Sequence, residues 1–143
     1  MKTCLAIPAR LDSSRLHHKL LQIIHDRTVL EHTLHNALQT TLFDEIILVT
    51  DHPTLADIGH NMGVRVELTT ATYRNGTERI GFLLDKTQAD IIVNLQADEV
   101  KFPACFIEQI LAEARGGADM VSAMFPIQDT ELFQDPNVVK VIC

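Results

Sequence analysis

Apolar positions along the chain follow two rhythms. Continuous or nearly continuous runs recur at TCLAIPA (3–9), DEIILVTD (44–51), VRVEL (64–68), ADIIVNLQAD (89–98), ADMVSAMF (118–125) and NVVKVIC (137–143). Short unbroken runs of this kind suit strands buried on both faces of a sheet. Between them the apolar residues return at helical spacing: Leu30, Leu34, Ala37 and Leu38; then Leu55, Ile58 and Met62; then Ile80, Leu83 and Leu84. Each set predicts a helix with one apolar stripe.

The punctuation agrees with that division. Pro53 is placed for a first helical turn after Asp51, and Gly63 is placed to end that helix. Pro103 and Gly116 bracket ACFIEQILAEAR in the same way. Strands alternating with helices predict an α/β fold: a doubly wound, mainly parallel, Rossmann-like sheet with helices on both faces. In open sheets of this class ligands bind outside the carboxyl ends of the strands, so the residues just after each strand carry the functional information.

Composition narrows the function classes. A chain of 143 residues suits one domain, 1–143, hiding about 70% of its unfolded surface. No apolar run approaches the ~20 residues of a membrane span, and residues 1–8 lack the apolar region and cleavage site of a signal peptide. The chain is therefore read as cytoplasmic, with no membrane insertion. The net charge of −7 argues against nucleic acid as a partner, because phosphate backbones are bound by clustered Lys and Arg. Cys4, Cys105 and Cys143 show neither CxxC spacing nor an even count, which speaks against a disulfide framework or structural zinc. Cys4 and Cys105 read as packing groups, and the histidines, including His32 and His35, as surface residues. In so acidic a chain an anionic ligand must find its cations locally.

Three strand ends carry candidate chemistry. After the first strand, PARLDSSRLHHK places Arg10, Arg15 and Lys19 around Ser13 and Ser14, a loop able to offer charged donors and backbone N–H groups to a polyphosphate. Taken alone, it is equally a solvated loop whose cations pair with carboxylates such as Asp12. After the fourth strand, NLQADE presents Gln96, Asp98 and Glu99. A carboxylate there either holds Mg²⁺ together with substrate phosphates or turns the chain toward the next helix. The third element, RNGTER (74–79), joins the turn pair Asn75-Gly76 to Thr77, read as a helix cap that also has room to hold a polar base.

Taken in order, IPARLDSSRLHHKLL, VTDH, NGTERI, NLQADEVKFP and DPNVVKVI resemble the motifs of the 3-deoxy-manno-octulosonate cytidylyltransferases, the CMP-Kdo synthetases. The resemblance spans essentially the whole chain. It implies a nucleotidyltransferase that moves CMP from CTP to the sugar acid Kdo, giving CMP-Kdo and pyrophosphate for lipopolysaccharide biosynthesis. By that resemblance Arg10, Arg15 and Lys19 would embrace the triphosphate and stabilise the leaving pyrophosphate, and Asp98 would bind Mg²⁺. Asn75, Gly76, Thr77 and Gln96, with backbone around Ala9, would recognise cytosine and ribose. Arg79 would lie near the sugar-acid pocket.

The chain also departs from the family pattern. His17-His18 stands for Pro-Gly, Ala97 for Gly, Val100 for Pro and Asn75 for Ser. By the resemblance the sequence is expected to be truncated relative to the family, with the second half that carries the sugar-acid pocket, most of the dimer interface and a second metal-binding Asp absent from it. A homodimer or a complementing chain is the expected partner. The alternatives are a cytidylyltransferase for another acid sugar, of the sialic-acid type, and a non-catalytic domain that binds nucleotide or serves as a partner subunit.

Overall fold

The computed structural model describes residues 1–12, 16–70 and 73–141. In chain order the elements are β1 (Thr3–Ala9), a 3-10 turn at Lys19–Leu21, hairpin strands β2 (Ile23–Ile24) and β3 (Arg27–Thr28), and helix α1 (Val29–Gln39). Then follow β4 (Glu45–Thr50), α2 (Pro53–Asn61), β5 (Arg65–Leu68), α3 (Gly76–Gly81), β6 (Ile91–Asn94), α4 (Ala104–Arg115) and α5 (Thr130–Gln134).

The main sheet runs in the order β5-β4-β1-β6 and is parallel throughout. The most apolar run, β1, takes an inner position and is buried along its whole length. Its alternating side chains build two cores. Leu5, Ile7 and Ala9 pack with Leu48 of β4 and with Leu30, Leu34, Leu55, Ile107 and Leu111, the buried stripes of α1, α2 and α4. Cys4 and Ala6 join Ile47, Val49, Ile80 and Leu83 beneath α3 and the turns after it. Helices thus cover both faces, as the uninterrupted apolar strands require. Within the stripes Leu38 and Leu84 remain exposed, outside the arc that meets the sheet. The approach of α2 is close enough that a Cβ at Gly59 would lie 2.7 Å from Val66 and 2.8 Å from Leu48.

Local signals fix the helix ends. Thr28 accepts from the Glu31 N–H while the Glu31 carboxylate accepts from the Thr28 N–H, a capping box that starts α1. Those hydrogen bonds from Thr28 hold Glu31 below the usual carboxylate range. On β5, hydrogen bonding from Arg65 does the same for Glu67. The unfolded chain binds protons more readily at both groups, so their stabilisation is complete above the ordinary Glu pKa. It is lost as pH falls through their lowered values. Thr28→Ala is expected to cost about 1 kcal/mol, read as a lower midpoint in urea with an unchanged slope. Pro53 opens α2, Gly63 follows it at φ 74°, and α4 runs between Pro103 and Gly116.

Three expectations are corrected. Residues 118–125 form no strand, and neither do 137–141; residues 142–143 lie outside the described part. An apolar run becomes a strand only with a ladder to join, and among the described residues no strand pairs beyond β6. Met120 and Phe125 are left 90% and 75% exposed. The β2–β3 hairpin, with His25 at its turn in left-handed conformation, was not foreseen. Cys4 is a packing group, and burial pushes its thiol up to about 12, but Cys105 is exposed on α4.

Candidate active site

The chain leaves β1 and crosses to β4 and then β5 on one side, and returns to place β6 on the other side of β1. The point where the winding reverses lies between the carboxyl ends of β1 and β6, where open α/β sheets hold ligands. The ladder there stops early. Ala6 pairs with Asn94, the Leu95 N–H donates to the Ala6 carbonyl at 3.0 Å, and β6 then bends into a turn closed by Glu99 N–H on the Gln96 carbonyl at 3.0 Å. The carbonyls of Lys2, just before β1, and of Ala6 within it face β6. Two residues further on, Pro8 faces the same way, and its missing N–H is harmless because β6 has already departed. The result is a crevice with Pro8 on one wall.

Two sets of predicted residues meet at this crevice. Lys19, at the start of the 3-10 turn, forms an ion pair with Asp98 across a sequence separation of 79 residues. Their side chains are 43% and 34% exposed, so the pair contributes only about 0–1 kcal/mol and opens easily to other partners. On the opposite wall Gly76 sits against Pro8: a Cβ there would lie 2.9 Å from the Pro8 Cγ and 3.7 Å from the Gln96 amide nitrogen. Ala9 is buried at the end of β1 and Arg10 follows it, exposed. Arg15, with Ser13 and Ser14, lies outside the described residues.

The 75–79 segment is held by its own polar groups. Asn75, not Thr77, caps α3, accepting from the Glu78 N–H at 2.9 Å, while the Glu78 carboxylate accepts from the Arg74 N–H at 2.9 Å. An Asn at this position thus supplies the cap. Thr77 accepts instead from the Asn94 amide at 3.5 Å. Arg79 points inward, 4% exposed, and donates to Asp51 at 2.6 Å and to Thr69 at 3.5 Å.

The departures also find places. His18 occupies the left-handed region at φ 49° and ψ 43°, just before the turn that carries Lys19. A glycine adopts that conformation freely, so His18→Gly is expected to stabilise the fold by about 1 kcal/mol, measured as a raised melting temperature. Ala97 is buried with the core on the α1 and α4 face, so its methyl group packs inward. The loop holding Asp98 is tied to α1 by the Asn36 amide, which donates to the Val100 carbonyl.

Sequence reasoning missed Asn36, Asp51 and Thr69 as site-supporting residues. Asp51 and Thr69 directly follow β4 and β5, so the rule of interrogating strand ends was able to find them. Asn36 had no such signal, because its partner is 64 residues away. A different opening, of about 380 Å³, lies at the amino-terminal edge of the sheet among Lys2, Asp44, Glu45, Arg65 and Lys86. Most of its charges are engaged: Arg65 pairs with Glu45 and with nearby Glu67, Lys86 with Glu67, and Asp44 accepts from Thr3. That edge is largely an ion-pair clip, while at the carboxyl edge Arg10 is exposed and Lys19 is half-exposed.

This fold, with its polar crevice at the winding reversal, is that of the nucleotidyltransferases. A solved 4-diphosphocytidyl-2C-methyl-D-erythritol synthase shares it at TM-score 0.65 and 24% identity over 82% of this chain and 56% of that one. The cytidylyltransferase family pattern matches residues 4–143, and the chain belongs to that family. It is 32% identical over 99% of its length to a 3-deoxy-manno-octulosonate cytidylyltransferase of Chlorobium phaeobacteroides, covering 59% of that protein. The same-named protein of Legionella pneumophila is 38% identical over 96% of the chain, which covers 56% of it. A solved CMP:2-keto-3-deoxy-manno-octonic acid synthetase complexed with CTP superposes at TM-score 0.76 and 32% identity, over 82% of this chain and 48% of that one. The chain thus spans about half to three-fifths of the length of these relatives.

Proposed function

We propose that the chain is the nucleotide-binding part of a cytidylyltransferase that transfers CMP from CTP to 3-deoxy-manno-octulosonate, a step toward lipopolysaccharide. The observation that carries this reading is the Lys19–Asp98 pair at the β1/β6 crevice, where Gly76 and Gln96 also come together. In this reading Arg10, Arg15 and Lys19 bind the triphosphate and neutralise the departing pyrophosphate, and Lys19 exchanges its carboxylate partner for phosphate. Asn75, Gly76, Thr77 and Gln96, with the Ala9 backbone, form the cytosine and ribose side. The sugar acid's hydroxyl attacks the α-phosphorus, and holding it in line is the main catalytic task.

Asp98 would hold Mg²⁺. Its partly exposed carboxylate, paired among the described residues with a lysine that phosphate can recruit, fits an ion that takes one or two protein carboxylates along with substrate oxygens. The ion would supply charge neutralisation on the phosphates. The compartment proposed is the cytoplasm, where CTP is made. No helix among the described residues is long and apolar enough to cross a membrane. Exposed Met120, Phe125, Phe133 and Val139 support association, as a homodimer or with a complementing chain.

Calorimetric titration with CTP, UTP and ATP in Mg²⁺ tests the nucleotide reading. CTP is expected to bind best, and failure of the folded chain to bind any of them contradicts it. Pyrophosphate release from CTP on addition of the sugar acid tests the transfer.

A further inference from the structure

We infer that Arg79 and Asp51 are positioning residues that set selectivity for the cytosine base, by clamping α3 against the strand ends. The inference rests on the nucleotide reading above and deepens it. The short α3 carries Gly76 and Thr77, the segment that lies against Pro8 and beside Gln96. A helix of 6 residues has little hold of its own, since helices this short do not persist without tertiary contacts. Its apolar anchorage is Ile80, within the smaller of the two cores.

Beside the Asn94 amide that donates to Thr77, the principal polar hold among the described residues is one guanidinium. Arg79 lies on α3 three residues after Gly76, and its two terminal nitrogens reach two different strand ends: Asp51, just after β4, and Thr69, just after β5. Thr69 is itself fixed by its N–H on the Thr50 carbonyl at 2.8 Å. The Tyr73 ring lies 5.4 Å from the guanidinium carbon, on the segment leading into α3. Arg79 is nine-tenths and more buried, so its permanent charge is balanced by the Asp51 carboxylate, and the planar fork fixes the direction of approach. A guanidinium so engaged acts on the nucleotide through α3. Moving α3 shifts Gly76 and Thr77 against Gln96, where one donor–acceptor pattern has to tell cytosine from uracil. The triphosphate cations Arg10 and Lys19 sit on other segments and stay in place.

The test is the ratio of CTP to UTP affinity, measured by calorimetry on the full chain in Mg²⁺ for Arg79→Gln, Asp51→Asn and Thr28→Ala. Arg79→Gln and Asp51→Asn are expected to lower the ratio about tenfold, chiefly by weakening CTP. Thr28→Ala, which destabilises α1 without touching the clamp, is expected to leave the ratio unchanged, separating positioning from general loss of stability. If Arg79→Gln does not fold, Asp51→Asn, which keeps shape and an acceptor oxygen, carries the comparison. An unchanged ratio in variants that still bind CTP overturns the clamp while the nucleotide reading stands. Absence of nucleotide binding by the wild-type chain overturns both.

Discussion

Lys19→Ala is expected to weaken CTP binding by about 2 kcal/mol, roughly thirtyfold. The side chain sits at the mouth of the crevice with its ammonium on Asp98. Because that pair is partly solvated, breaking it costs the free chain little. The loss therefore falls on the bound state, where a charge-assisted bond to phosphate has no substitute. Asp98→Ala is expected to act differently. It frees Lys19, so CTP binding without Mg²⁺ is retained or improves, while the enhancement by Mg²⁺ disappears. Titrations with and without the ion distinguish the two variants. Equal, Mg²⁺-independent behaviour of both would contradict the assignment of Lys19 to phosphate and Asp98 to metal.

Gly76→Ala is expected to lower CTP affinity about tenfold, since small displacements of a reading segment are costly. The new methyl group would meet the Pro8 Cγ at 2.9 Å. The pyrrolidine ring of Pro8 belongs to a buried strand and cannot swing aside. The start of α3 must retreat, carrying Thr77 away from Asn94 and the crevice. Pro8→Ala removes the obstructing atom, so the double variant should recover part of the affinity, with a coupling that reveals direct contact. Additive losses in the two variants would show that Gly76 and Pro8 do not form one wall.

The sheet's inner strands were legible because β1 and β4 are apolar without interruption, which parallel burial on both faces demands. Pro103 and Gly116 bounded α4 to the residue. The run 118–125 misled because apolar content reports a wish for burial and says nothing of an available partner. At the site, Lys19 and Asp98 were each visible as strand-end polar residues, but their pairing across the crevice follows from the sheet order. The inward turn of Arg79 was hidden for the same reason: an arginine after Glu78 reads as a solvated helix face until Asp51 and Thr69 are brought beneath it. The N-cap moved from Thr77 to Asn75 because the Asn carboxamide reaches the Glu78 N–H.

The most direct test of the central claim, a nucleotide site at the β1/β6 crevice, is to map backbone amide shifts of the ¹⁵N-labelled chain on adding CTP and Mg²⁺. The account predicts that the perturbed amides cluster at Arg10, Lys19 to Leu21, Gly76, Thr77 and Gln96 to Glu99. Perturbation centred instead on Glu45, Arg65 and Lys86 at the opposite edge of the sheet, or none at saturating CTP, would contradict it.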